Sequence, residues 1–133
     1  MDGLKRERKA MGAPGGMDSR IFSYYPRLEK VKRFVDRHFS ETVNLSRAAE
    51  VAGLEKTYFS RFFHDKTGVC FHDWLSWVRV THAMEIMKSR DLSITQIGFA
   101  VGFQDLRTFE RAVEKCTGTS PRALKNRLRP CPH

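Results

Sequence analysis

Two segments of this chain repeat one another. Shifted by 49, Leu45 falls on Ile94, Ala48 on Ile97, Ala49 on Gly98, Ala52 on Val101 and Gly53 on Gly102. One extra residue enters after Phe103. At a shift of 50, Phe59 then falls on Phe109, Arg61 on Arg111 and Thr67-Gly68 on Thr117-Gly118. Each copy reads as a helix, a tight turn with glycine, a second helix and a glycine stop. That is the layout of a helix-turn-helix. Two helices that cross steeply need a small residue at the crossing, here Ala49 and Gly98. The turn needs a residue that tolerates positive φ, here Gly53 and Gly102. An apolar residue, Leu54 or Phe103, follows to pin the second helix. Such a second helix can lie in a DNA major groove with the exposed residues near its N-terminus facing base edges.

The charge balance agrees with a polyanionic partner. Lys plus Arg number 24 against 15 Asp plus Glu, a formal +9, which favours nucleic acid or an acidic membrane face. A single copy of the repeat would fit an ordinary helical bundle with close-packed small residues. Two copies in register in so basic a chain favour the DNA reading. No run of about 18 apolar residues exists, so no transmembrane helix is expected. For the same reason Gly98-x-x-x-Gly102 is not read as a membrane-helix contact. The N-terminus has charge but no apolar core of a signal peptide. Three widely spaced cysteines, Cys70, Cys116 and Cys131, are no disulfide framework and suit a reducing cytoplasm.

With 133 residues and a hydrophobic fraction of 41%, the chain can bury a core as one domain or two very small ones. Residues 1–25, with GAPGG at 12–16, read as a disordered leader. A first helix starts at Pro26 and carries Leu28, Val31, Phe34, Val35, His38 and Phe39 on one face. Asn44 can cap a second helix that ends at Gly53. A third, about 56–67, buries Phe59, Phe62 and Phe63. The fourth, about 71–89, is the longest, with Phe71, Trp74, Leu75, Val78, Ala83, Ile86 and Met87 at helical spacing. Ser93-x-x-Gln96 is a capping-box pattern that opens a fifth helix. A sixth runs from about Asp105 to Cys116. Ser120-Pro121 opens a seventh, to about Leu128, and 129–133 form a tail. No stretch alternates with period two, so the fold class is all-α.

LSRAAEVAGLEKTYFSRFFHDKTG together with ITQIGFAVGFQDLRTFERAVEKCTGTSPRALKNRLR resembles the DNA-binding domain of AraC/XylS-type transcription regulators. The resemblance covers roughly residues 28–128. It is most specific at Ile97, Gly102-Phe103, Phe109 and Gly118-x-Ser120-Pro121, and RVTHAMEIM (79–87) looks like the family's linker helix. The chain departs from the usual pattern at Gly98, where alanine is common, at Val113, where an aromatic is expected, at Leu124, where tyrosine is common, and at Glu55, often a small N-capping residue. All four read as packing or capping variants.

The resemblance implies seven helices in two helix-turn-helix subdomains, about 45–67 and about 94–116, joined by a linker helix of about 71–89. It implies one monomer placing helices about 56–67 and 105–116 in successive major grooves, one DNA turn or about 34 Å apart. A linker of about 28 Å, at 1.5 Å per residue, is compatible with that. By position in the motif, Thr57, Ser60 and Arg61 approach bases from the first recognition helix, and Leu106, Arg107, Glu110 and Arg111 from the second. Arginine can bond guanine O6 and N7 together. Glu110 can accept from cytosine N4 or orient a neighbouring arginine, Arg111 can instead be tied to Glu110 or Glu114, and Leu106 can meet a thymine methyl. Lys56, His64, Lys66, Gln104, Lys115, Arg122, Lys125 and Arg127 are expected at phosphates or in auxiliary positions.

Cys70 and His72 lack a third and fourth ligand at zinc spacing, so no metal is expected. No phosphate loop or Ser/His/Asp arrangement is present, so neither a cofactor nor an enzyme is expected. The function implied is a sequence-specific regulator, an activator, bound as a monomer to an asymmetric duplex site of about 20 bp, with RNA polymerase as a partner, in the bacterial cytoplasm at the nucleoid. The rival is a protein-interaction module docking on RNA polymerase or another regulator through Trp77 and the leader. With about 25 residues ahead of the first helix, a stand-alone member is expected, the other reading being the C-terminal domain of a larger regulator.

Overall fold

A computed structural model describes residues 17–129. Those residues form eight helices and no strand. They are α1 (Ile21–Tyr24), α2 (Pro26–His38), α3 (Leu45–Ala52), α4 (Lys56–Thr67), α5 (Phe71–Ser89), α6 (Ile94–Ala100), α7 (Leu106–Thr117) and α8 (Pro121–Leu128). The described chain divides into two compact units, one ending at Ser76 and one beginning at Trp77, so the boundary falls within α5.

The N-terminal unit contains the helix that periodicity missed. The segment 1–25 reads as a disordered leader, yet α1 lies in it and its Phe22 is only 2% exposed. The ring stacks on Trp74 at 5.0 Å and tilts against Phe63 at 6.1 Å. Four residues are too short to show a helical stripe, and it is the burial of one phenyl ring that orders them. The rest of the leader, 1–16, and the tail from 130 lie outside the described residues. Phe59, Phe63, Phe71 and Trp74 complete an aromatic core with centroids 5.5–5.9 Å apart. Leu28, Val31 and Val35 of α2 are fully buried, while Phe34 and His38 sit half-buried at its edge, their rings tilted against each other at 4.8 Å.

Both units close their turns with the same hydrogen bonds. Leu54 N–H donates to the Ala49 carbonyl and Gly53 N–H to that of Glu50; Phe103 N–H donates to Gly98 and Gly102 N–H to Phe99, all at 3.0–3.1 Å. This paired closure requires a left-handed residue after the helix, and Gly53 (φ 73°) and Gly102 (φ 104°) supply it. The N-terminal caps also agree with the sequence reading. Asn44 Oδ1 accepts from Arg47 N–H, Ser93 and Gln96 form a reciprocal capping box, and Ser120 Oγ accepts from Ala123 N–H.

Gly98 has a clear packing reason. A Cβ there would lie 2.8 Å from Cδ2 and 3.0 Å from Cγ of Phe109, whose ring is completely buried. The second repeat therefore brings its core aromatic against bare backbone at the helix crossing, which Ala49 does not do in the first.

Candidate nucleic-acid interface

The second helix of each repeat buries one side and presents the other. On α4, Phe59 and Phe63 are fully buried, which leaves Lys56, Thr57, Arg61 and His64 exposed and Ser60 half-buried. On α7, Phe109, Ala112 and Val113 are buried, which leaves Leu106, Arg107, Glu110 and Arg111 exposed, with Gln104 exposed in the preceding turn. Within each unit the expected base-facing residues thus share one helix face. Phe62 is the exception to the expected α4 core. It is half-buried and lies under Tyr58, which is 59% exposed.

The arginines of these faces are available. Among the described residues, no carboxylate comes within ion-pair distance of Arg61, Arg107 or Arg111, so the pairing of Arg111 with Glu110 or Glu114 is not formed. Arg111 does feel a weaker attraction, from Asp105 at the start of its helix, and Arg61 feels one from Glu55.

Glu55 and Asp105 occupy equivalent places in the repeat and do the same work. The Glu55 carboxylate accepts from the Thr57 and Tyr58 N–H groups at 2.9 and 3.1 Å. Asp105 accepts from Thr108 N–H at 2.8 Å and from its hydroxyl at 2.9 Å. Those bonds hold both carboxyls below the usual carboxylate range: for Glu55 the Thr57 N–H contributes most, for Asp105 the Thr108 N–H. Glu55 is thus itself a cap, by way of a longer side chain. Asp105 was not singled out from sequence, although the 50-residue shift that aligns the arginines also aligns these two acids.

The auxiliary cations divide. Arg122 and Arg127 are exposed on α8 and Lys115 is exposed on α7. Lys125 has another role. Its ammonium donates to the Leu92 carbonyl at 2.7 Å and lies 3.9 Å from Asp91, so it ties α8 to the segment before α6 instead of waiting for a phosphate. Lys66 rests over the rings of Tyr25 and Phe62 at 5.2 and 6.0 Å, so its stem is held against the protein.

No described helix is long and apolar enough to cross a membrane. Residues 48–127 match a family described as a helix-turn-helix domain. The chain is 28% identical over 95 residues to the uncharacterized HTH-type transcriptional regulator YobQ of Bacillus subtilis, a match covering 71% of this chain and 39% of that protein. It is 26% identical over 102 residues to the regulatory protein PocR of Salmonella typhimurium, covering 77% and 34%. The chain therefore spans well under half the length of these curated relatives. Among solved structures, the C-terminal domain of AraT, a response regulator from Geobacillus stearothermophilus, superposes with a TM-score of 0.74 at 25% identity, covering 82% of this chain and 91% of that one. The DNA-binding domain of AdpA, a global transcriptional factor solved in complex with a target DNA, shares the fold with a TM-score of 0.70 at 24% identity, covering 77% and 91%. The chain belongs to the AraC-type helix-turn-helix family of DNA-binding domains.

Proposed function

We propose that α4 and α7 are the two recognition helices and enter successive major grooves of one asymmetric duplex site of about 20 bp. The observation that carries this is the repeated helix-turn-helix with a polar, largely exposed face on each second helix, set opposite a buried phenylalanine. Relatives such as PocR are regulatory proteins, and AdpA, of the same fold, was solved with a target DNA. The two faces are not copies. Thr57 stands where the second repeat has Arg107, Ser60 where it has Glu110, and only Arg61 and Arg111 agree. A reader built this way asks different questions in its two grooves, which favours a non-palindromic site and a monomer. Arg107 and Arg111 are one turn apart and reach neighbouring base pairs, with guanine O6 and N7 as their natural acceptors. Glu110 between them takes a cytosine amine or steadies an arginine. Arg122, Arg127 and Lys115 serve phosphates.

By family resemblance the protein acts as an activator with RNA polymerase as its second partner, in the bacterial cytoplasm; a promoter-reporter assay reads the sign. The groove assignment is tested by selecting binders from a random duplex pool and footprinting the product. Two protected major grooves about one turn apart on a non-palindromic site are expected. Binding with no preference over random DNA at about 150 mM salt would sink the reading.

A further inference from the structure

Five described helices are capped at their N-terminus by a side chain, and the caps are of two kinds. The caps of α3, α6 and α8 are neutral: Asn44, Ser93 and Ser120. Those of α4 and α7 are carboxylates, Glu55 and Asp105. A helix N-terminus is an anion site, with free N–H groups and a positive dipole end. On α4 and α7 that site is already filled by the protein's own anion, bonded to the N–H groups a phosphate oxygen would use. Resting on the reading of α4 and α7 as recognition helices, we propose that Glu55 and Asp105 are specificity-determining residues that keep backbone phosphate off the ends meant for base edges.

The physical logic is a difference between two bound states. In the specific complex the N-terminal turn of a recognition helix faces base edges, and the nearest phosphates flank the groove. In a misregistered or random complex the same turn meets backbone. A carboxylate there repels phosphate while leaving the base-reading arginines engaged, so it weakens the wrong complex more than the right one. Each carboxylate also feels a weak attraction from the arginine six residues on, Arg61 or Arg111. The capping bonds account for the helix starts, but a start does not require a carboxylate: on the other three helices a neutral asparagine or serine oxygen caps through one backbone N–H.

The test uses the full chain with D105N, D105S and E55S, each a neutral residue that caps well. Binding to a selected duplex and to a scrambled one is measured by fluorescence anisotropy at several salt concentrations, with thermal unfolding alongside. Each variant should bind the scrambled duplex about two- to fivefold more tightly, the size of one charge at a helix end. The selected duplex should gain less, so discrimination falls, and the salt dependence on scrambled DNA should steepen by about 0.9 for each phosphate admitted. Scrambled-DNA affinity that is unchanged or weaker in variants that melt like the parent overturns the proposal. If the parent itself shows no preference for the selected duplex, the groove reading fails and takes this proposal with it. If the parent discriminates and the variants discriminate equally, only the proposal fails.

Discussion

Replacing Gly98 with alanine sets two known quantities against each other. Alanine in a helix interior is favoured over glycine by about 0.8–1.0 kcal/mol. The new Cβ, however, would sit 2.8 Å from Cδ2, 3.0 Å from Cγ and 3.3 Å from Cβ of Phe109. These are ring-root atoms, and the ring cannot swing away because it has no exposed surface and packs on Phe103 at 5.2 Å. Overpacking of this kind costs about 1–3 kcal/mol. The clash should win, with G98A losing about 1 kcal/mol net. Urea unfolding followed by circular dichroism gives the sign, and native-state hydrogen exchange should localise the loss to α6 and α7. A double-mutant cycle with F109L provides the stricter check. If the ring is the obstacle, the two changes together should cost less than their sum by about 0.5 kcal/mol or more. A G98A protein that is stabilised by the full propensity gain, with no coupling to position 109, would refute the argument.

Three further outcomes are expected. Arg107→Ala should relax base choice at one or two positions, costing about 1–3 kcal/mol on the selected site and little on random DNA, as read by competition binding. Lys125→Ala should instead lower stability by about 1 kcal/mol, through loss of its bond to Leu92, and leave the ratio of specific to non-specific binding unchanged. The capping carboxyls of Glu55 and Asp105 are held below their usual range, so their contribution is complete above the ordinary carboxylate pKa of about 4 and disappears as pH falls through the lower folded values. An acid titration followed by NMR should therefore show the first turns of α4 and α7 loosening below about pH 4, while D105S is insensitive there at α7.

The sequence made the fold legible wherever one stripe served one helix. Caps, turns and stops depend on a single residue and its neighbour, so Asn44, Ser93, Ser120, Gly53 and Gly102 were readable directly. The long helix was harder. Read as one stripe it contributes Phe71, Trp74, Leu75, Val78, Ala83, Ile86 and Met87, but the buried residues are Phe71, Trp74, Leu75 and Val78, then Val80, Ala83, Met84 and Met87. The step of two from Val78 to Val80 turns the stripe by about 200°. A single period across such a helix admits Ile86, which is half-buried, and loses Val80 and Met84. On the candidate site, exposure of the polar faces followed from the position of the core aromatics. The commitment of Lys125 to Leu92 did not, because residues 33 apart in the chain share no local pattern.

The helix α1 offers the sharpest division between the two repeats. At a shift of 50, Phe63 corresponds to Val113 and Trp74 to Leu124, so the N-terminal unit is aromatic where the C-terminal unit is aliphatic. Val113 and Leu124 are nonetheless buried, so the smaller residues do not mark a looser site. What differs is that Phe63 and Trp74 are the two rings on which Phe22 rests. The larger pair thus forms a platform for a segment that precedes the repeat, and the departures at 113 and 124 belong to a unit that, among the described residues, has no counterpart of Phe22 to receive. Phe22→Ala should then behave as a core truncation and not as a change in a leader, costing about 3–5 kcal/mol. Hydrogen exchange should show the loss first in α4 and the first turns of α5, with Trp74 fluorescence shifting as its stacked neighbour disappears. A loss below about 0.5 kcal/mol, the level of an ordinary surface change, would mean that α1 is an appendage and that the aromatic platform needs another explanation.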